Sequence, residues 1–348
     1  MKFATLSKRN AERYDEMSIS DKNSSDSEKN GSRKVTIYDL ARYTGYSPGT
    51  VSRVLNNRDK VKPETREKIL DAIKKLDLKP RAAARTRHIA ILSEPTYTDR
   101  IEGYAATLTA HLAFAFSRHN MGVVLPSDPF EQLPGLFLDG IVAVTFDSNL
   151  LDLLARMESR LPVVYMDRFD LSPKQYRVCS DHYRAGYIAA EHFIARGKKK
   201  PAFFGGLGQA FAERIRGFRD ALAVAGMHID ESLLVQAAPG THPAVVTRLV
   251  RTGADALYVP GTSFQAMECL HLLTYVMGVR VPEDISIIGG ENEGISQIQS
   301  PPLTTVEEPL KDMAEAAVDI LDACTSGAKV EKPSVVLPVR LIVRNSVS

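Results

Sequence analysis

The chain has 348 residues, of which 44% are hydrophobic and 25% charged, with 44 Lys and Arg against 42 Asp and Glu. That is enough apolar material for a small head and a large body, and it excludes a disordered or fibrous protein. No apolar run approaches the ~20 residues a membrane-crossing helix needs. The three cysteines, Cys179, Cys269 and Cys324, are unclustered and odd in number, which suits reduced thiols better than disulfides or a metal centre. Near-neutral net charge hides an asymmetry. Residues 35–88 carry 13 positive and 6 negative side chains, a net of +7; residues 1–34 carry 8 against 6, and the remainder 23 against 30, a net of −7. The basic end is suited to a polyanion through counterion release, and the acidic body is not.

Residues 1–34 mix Ser, Asn, Lys and Asp with no apolar segment after a charged start, so a disordered polar tail is expected rather than a secretory leader. Residues 35–57, VTIYDLARYTGYSPGTVSRVLNN, then read as two short helices about a glycine turn. Thr36 and Asp39 have the spacing of a capping box. Ile37, Leu40 and Ala41 fall on one helical face, and Gly45 supplies the positive φ that a tight turn needs, so the first helix should end near Tyr43. Ser47 as N-cap and Pro48 at the first helical position restart the chain. Val51, Val54 and Leu55 then face inward, leaving Gly49, Thr50, Ser52, Arg53, Asn56 and Asn57 outward. These are small or polar enough to approach a phosphate backbone, with a guanidinium that can fork onto a guanine edge. A third helix from Pro63, with Ile69, Leu70, Ile73 and Leu76 at helical spacing, should close an all-α three-helix core over 35–80. Helix, turn, capped helix and closing helix in that order predict a helix-turn-helix DNA-binding head. Residues 81–88, rich in arginine, read as a hinge or linker.

From residue 89 onward, β-branched or apolar runs at 89–92, 122–125, 140–144, 162–166, 201–206, 256–259 and 285–290 alternate with amphipathic stretches at 104–119, 185–195, 213–225, 264–277 and 310–323. This is the βαβα pattern of parallel sheets covered on both faces. Seven strands exceed what one small sheet usually holds, so two doubly wound lobes are expected. We place them at about 89–199 with 291–325, and about 200–290 with 326–348. A cleft beyond the carboxyl ends of the strands is the natural small-molecule site. Residues 127–139, with two prolines and few helical repeats, should form a truncated helix or a loop.

Taken with VKPETREKILDAIKKL, KPRAAAR, ERIRGFRDALAVAG, VPEDISIIGGEN and PPLTTVEEPLKDMAEAAVDIL, the head sequence resembles the lactose-repressor/galactose-repressor (LacI/GalR) family of bacterial transcription regulators, from about Lys34 to the C-terminus. The resemblance implies a homodimer whose heads bind double-stranded DNA at a near-palindromic operator, on a two-lobed body similar to periplasmic sugar-binding proteins. A small effector, of carbohydrate type, would close the cleft and change the geometry of the heads. It further implies that Thr36, Tyr38, Ser47, Thr50, Ser52 and Asn56 touch phosphates or flank bases, that Arg53 reads a base, and that Pro48 and Gly49 fill the first two recognition positions. In the hinge, Arg81, Arg85 and Arg87 would lie against the DNA. Arg87 stands where relatives carry a leucine that wedges into the minor groove, so less operator bending is expected. In the cleft the resemblance assigns the effector to Tyr97, Asp167, Asp181, Arg214 and Glu291. Residues 261–264, Gly-Thr-Ser-Phe, lack the polar pair that relatives place there.

An enzyme is excluded as a reading, because the eight histidines are scattered, no Cys/His cluster appears and GGLGQ at 205–209 lacks the lysine and spacing of a nucleotide loop. Nothing requires a cofactor or a metal. A periplasmic solute-binding protein would share the body but not the basic head, and would carry a leader. A cytoplasmic, nucleoid-associated, dimeric repressor is expected, with an activator of the same family as the alternative. The absence of a C-terminal leucine heptad argues against coiled-coil tetramers.

Overall fold

In the computed structural model of the chain, the described residues are 37–55, 61–75, 87–93, 103–133, 136, 138–228, 230–237, 240–261 and 264–348. The chain divides into two compact units, Met1–Ala83 and Ala84–Ser348. In the first, three helices, α1 (Ile37–Thr44), α2 (Pro48–Leu55) and α3 (Pro63–Lys75), enclose a small core. Leu40 and Ala41 from α1, Val51 and Val54 from α2, and Ile69, Ala72 and Ile73 from α3 are its buried residues, with Tyr46 and Val61 packed against them. Gly45 takes φ +72° between α1 and α2. The expectation for α3 needs one correction. Leu70 is exposed and Ala72 takes the inward position, because 3.6 residues per turn carries the face from Ile69 to Ala72 and Ile73. Leu76 lies outside the described residues, and the side chains of Ile37 and Leu55 are not described.

The second unit holds two six-stranded sheets. The first has β1 (His88–Ser93), β2 (Gly122–Val124), β3 (Gly140–Val144), β4 (Val163–Met166), β5 (Tyr176–Ser180) and, from the far end of the chain, β11 (Ser334–Leu337). They lie in the order β11-β5-β4-β3-β1-β2 and all pair in parallel. The second sheet has β6 (Pro201–Gly205), β7 (Leu234–Gln236), β8 (Ala256–Val259), β9 (Ser286–Gly290), β10 (Thr304–Glu307) and β12 (Arg340–Ile342), ordered β12-β10-β9-β8-β6-β7. Only β12 runs antiparallel.

Alternation along each strand feeds two cores per sheet, since successive side chains point to opposite faces. Ile89 and Ile91 pack with Leu108, Leu112 and Phe116 of α4 (Gly103–Arg118) and Met313, Val318 and Leu321 of α11 (Leu310–Ser326). Ala90 and Leu92 face the other way, onto Leu150 and Leu154 of α6 (Ser148–Met157). In the second sheet, Phe203 packs with Phe193 of α7 (His182–Ala195) and Phe218 of α8 (Gln209–Val224). Ala202 and Phe204 meet Val246 and Leu249 of α9 (His242–Arg251) and Cys269 and Leu270 of α10 (Gln265–His271), which continues as a single π-helical turn over Leu272–Val276. The segment at 127–139 contains a four-residue helix, α5 (Pro129–Gln132), whose N-terminal amides at Phe130 and Glu131 donate to Asp128 Oδ1 at 3.0 and 3.1 Å.

The division of the lobes differs from the expected boundaries. Helix α7 packs against the second sheet, so the chain first crosses at Asp181 rather than near residue 200. Strand β10, expected in the first lobe, pairs with β9, and β11, expected in the second, pairs with β5. The chain therefore crosses three times, after β5, after β10 and after β11. The crossings are stitched together, as where the Asp181 N–H donates to the Leu337 carbonyl at 2.9 Å. The hydropathy reading picks out neither β10 nor β11 as a strand, and it carries no signal for which sheet each joins.

Candidate functional site

In the head, the geometry of α2 follows from its first turn. The Thr50 N–H donates to Ser47 Oγ at 3.2 Å, and the two hydroxyls of Ser47 and Thr50 lie 2.9 Å apart. Pro48 starts the helix where no N–H is needed. With Val51 and Val54 buried, Ser47 and Arg53 are exposed and Pro48, Gly49, Thr50 and Ser52 half-buried. Arg53 makes no ion pair with another described residue. Thr36, Asn56, Arg81 and Arg85 lie outside the described residues, and Tyr38 sits on α1 with its side chain undescribed. Arg87 falls in the second unit, immediately before β1, where its guanidinium is 2.6 Å from Asp322 on α11.

In the body, a buried polar cluster forms at the crossings, at the carboxyl ends of the strands where open α/β sheets bind ligands. Asp167 follows β4 with φ +50°, a left-handed backbone that is unusual for a residue other than glycine and clusters at functional sites. The turn is fixed by its N–H on the Val178 carbonyl at 2.9 Å and by the Ser180 N–H donating to Asp167 Oδ1 at 3.0 Å. It aims the carboxylate inward, 3.0 Å from His182 Nε2 and facing the Tyr104 hydroxyl. Burial opposes ionisation of Asp167, but His182, Tyr104 and the Arg214 charge outweigh it and hold the carboxyl below its usual range. Burial, followed by Asp167 and Glu308, pushes the Tyr104 phenol well up.

Arg214 reaches this cluster because α7 and α8 touch backbone to backbone. A Cβ on Gly217 would sit 1.9 Å from the Tyr183 carbonyl oxygen, and one on Gly186 1.8 Å from that of Arg214. Glycine at both positions is thus what brings α8 down onto α7. Arg214 Nη2 donates to Glu308 Oε1 at 2.6 Å, Glu308 Oε2 accepts from Ser180 Oγ at 2.9 Å, and the guanidinium lies over the Phe211 ring. Burial works against the Arg214 charge, but Glu308 overrides it and secures the cation.

The expected effector residues thus part company. Asp167 and Arg214 share one buried cluster. Asp181 caps α7 instead, its Oδ1 accepting from the Arg184 N–H at 2.8 Å. Glu291, one residue past β9, is gripped by Arg344 through Nη1 at 2.9 Å and Nη2 at 3.1 Å, and takes a further hydrogen bond from Thr305. Gly290 lets the backbone at Gly261 approach, since a Cβ there would fall 1.8 Å from the Gly261 oxygen. Tyr97 lies outside the described residues. The sequence reading missed Glu308, His182, Ser180 and Tyr104, although Glu308 lies in the motif PPLTTVEEPL and Ser180 and His182 flank Asp181. Ligand atoms of Asp167, His182 and Glu308 lie within 4.8 Å of one another, a spacing that would admit a metal ion. The Arg214 guanidinium already supplies the cation at Glu308, which disfavours a metal there.

Comparison with known proteins agrees with this architecture. Residues 36–81 match the family described as bacterial regulatory proteins, lacI family, and residues 190–347 match a periplasmic binding protein-like domain. The HTH-type transcriptional regulator DegA of Bacillus subtilis is 30% identical, over 90% of this chain and 98% of its own. The HTH-type transcriptional repressor PurR of Photobacterium profundum is likewise 30% identical, over 90% and 98%. The solved structure of a transcriptional regulator CelR–cellobiose complex superposes with a TM-score of 0.67 at 28% identity, over 90% of this chain and 99% of that one. Similarity at that level over nearly the whole length, with a helix-turn-helix head and a two-sheet body, is family membership: this chain belongs to the lacI family of bacterial regulatory proteins and is a DNA-binding transcriptional regulator, not an enzyme.

Proposed function

We propose that the protein is a homodimeric transcriptional repressor that binds a near-palindromic operator through its helix-turn-helix heads and releases or grips it when a small carbohydrate enters the cleft between the body's lobes. The observation that carries this reading is the outward face of α2, Pro48, Gly49, Thr50, Ser52 and exposed Arg53 behind a Ser47 cap, on a segment of net charge +7. A guanidinium on a capped, inwardly apolar helix is suited to a guanine edge in the major groove. Thr36, Tyr38 and Asn56 complete the DNA-contacting set, with Arg81, Arg85 and Arg87 from the hinge. Two heads are needed because one module of this size makes few base contacts and a palindrome offers two half-sites. Among the described residues no helix is long and apolar enough to cross a membrane, and we place its action in the cytoplasm, on the nucleoid.

The effector reading rests on Asp167 and Arg214, buried, charged and adjacent to strand ends, with Glu291, Asp181 and Tyr97 as further lining. Forked guanidinium donors and carboxylate acceptors suit the vicinal hydroxyls of a sugar, and the relative solved with cellobiose supports that class. Two measurements test the proposal. Arg53→Ala should lose about 1–3 kcal/mol of preference for operator over random duplex; unchanged specificity removes Arg53 from the base-reading role. A carbohydrate panel that includes cellobiose should raise the melting temperature of the wild type and not of Arg214→Ala, since a ligand stabilises the native state by mass action. Failure of every sugar to shift the wild type rules out the carbohydrate effector.

A further inference from the structure

Arg214 does not face the cleft as an open cation. It is 4% exposed and Glu308 7%, their closest atoms are 2.6 Å apart, and Glu308 is held from the opposite lobe by the Ser180 hydroxyl at 2.9 Å. Both carboxylate oxygens of Glu308 are therefore engaged, and neither can swing away without breaking a buried bond. A second arginine of this lobe, Arg344, is forked onto Glu291. Asp167 adds a carboxylate that stays ionised. The formal charge of Asp167, Glu308 and Arg214 together is −1, with the His182 ring 3.0 Å from Asp167, and the Glu291–Arg344 pair adds nothing to it.

We propose that Glu308 sets the charge class of the effector: by neutralising Arg214 it makes the cleft accept uncharged, hydroxyl-rich ligands and refuse phosphorylated or carboxylated ones. The proposal rests on the reading of this cluster as the effector site and narrows it. A hydroxyl both donates and accepts, so it adds to the Arg214–Glu308 pair and to Asp167 without displacing either. A phosphate ester, mostly dianionic at neutral pH, brings acceptors and negative charge and almost no donor. To reach Arg214 it must prise apart a dry ion pair, strand Glu308 without its partner, and lie beside Asp167, and each of these is unfavourable in a low-dielectric site. Discrimination of about 100-fold or more between a sugar and its phosphate ester follows from losing such a buried partner. Arg214 alone would suit a carboxylate as well as a sugar's vicinal hydroxyls, and Glu308 removes the first.

The test uses the full chain and inorganic phosphate at millimolar concentration, with chloride at matched ionic strength as the control. Thermal melting of the body should not respond to phosphate in the wild type. Glu308→Gln, which keeps shape and one acceptor but frees the arginine, should gain a phosphate-dependent rise that Glu308→Gln combined with Arg214→Gln loses. A folded Glu308→Gln that phosphate leaves unmoved overturns the proposal. A wild type stabilised by phosphate, with the effect lost in Arg214→Gln, overturns it equally. Should Glu308→Gln not fold, calorimetric titration of the wild type with glucose 6-phosphate and with gluconate decides: binding of either that Arg214→Gln abolishes refutes the selection, and no heat from either upholds it. If no neutral carbohydrate binds the wild type while phosphate still stabilises Glu308→Gln, the carbohydrate reading falls and the charge selection stands.

Discussion

Asp167 concentrates the physical cost and the chemical interest of the body. A left-handed aspartate, 3% exposed, persists only because the Ser180 and Val178 backbone groups and the His182 ring over-determine it. Its carboxyl is held below the usual range, so it binds a proton less readily folded than unfolded. The stability this confers is fully present above the unfolded carboxyl value and is lost as pH falls through the lower folded value. Denaturation followed by circular dichroism should show that acid-limb loss in the wild type, and Asp167→Asn should flatten it while lowering stability near neutral pH. An unchanged acid limb in the variant would mean that Asp167 carries no linked charge. The nearby thiol of Cys179 is pushed up to about 12 by burial and by the Asp167 charge, so it stays a protonated, inert core residue at neutral pH. At this scale sequence informed unevenly. Arg214 and Asp167 were recognisable from their motifs, but whether an acid caps a helix, as Asp181 does, or enters a cluster depends on which partner the fold delivers.

Among the elements, the crossing of α7 and α8 decides whether there is a site at all. Glycine in a helix interior ordinarily costs about 1 kcal/mol against alanine, so Gly217→Ala would stabilise an isolated α8. In the protein the new methyl would meet the Tyr183 carbonyl at 1.9 Å, and overpacking of about 1–3 kcal/mol or more outweighs the helix gain. Gly217→Ala should therefore lower the melting temperature, and by tilting α8 it should draw Arg214 from Glu308 and weaken carbohydrate binding. A variant as stable as the wild type would show that the two helices can separate at no cost. Periodicity located α8 and the glycine, yet the reason for the glycine was invisible until α7 lay across it. Strand β5, Tyr-Arg-Val-Cys-Ser, escaped the hydropathy reading because its alternating polar residues lack the apolar run of the central strands. It nevertheless carries Ser180 to the cluster.

For the whole molecule, the question is how a charged end is tied to a body that senses a ligand. The family resemblance implies a leucine wedge at the position of Arg87, whose guanidinium here rests on Asp322 of α11. A half-exposed pair of this kind is worth about 0–1 kcal/mol, so it leaves Arg87 able to exchange Asp322 for another anion. An arginine can enter a narrow minor groove by electrostatics, yet it cannot unstack base pairs as an apolar side chain does. Gel phasing should accordingly give a smaller operator bend than for a leucine-hinged relative, and Arg87→Leu should increase it. An equal bend in wild type and variant would remove the hinge position from the bending mechanism.

The sequence by itself determined what local chemistry suffices to specify: a capped, turn-separated three-helix head with its charge, the alternation of strands and helices that makes a two-lobed α/β body, and the arginine and acids near the strand ends. Periods of 3.6 and 2, caps and turn glycines act over a few residues, so they are readable in order along the chain. Only the tertiary structure decided which sheet β10 and β11 join, that α7 belongs to the second lobe, and that Glu308, 94 positions from Arg214, neutralises it. Those outcomes come from long-range pairing and burial, in which the partner of a buried charge is chosen by the fold rather than by its neighbours in sequence.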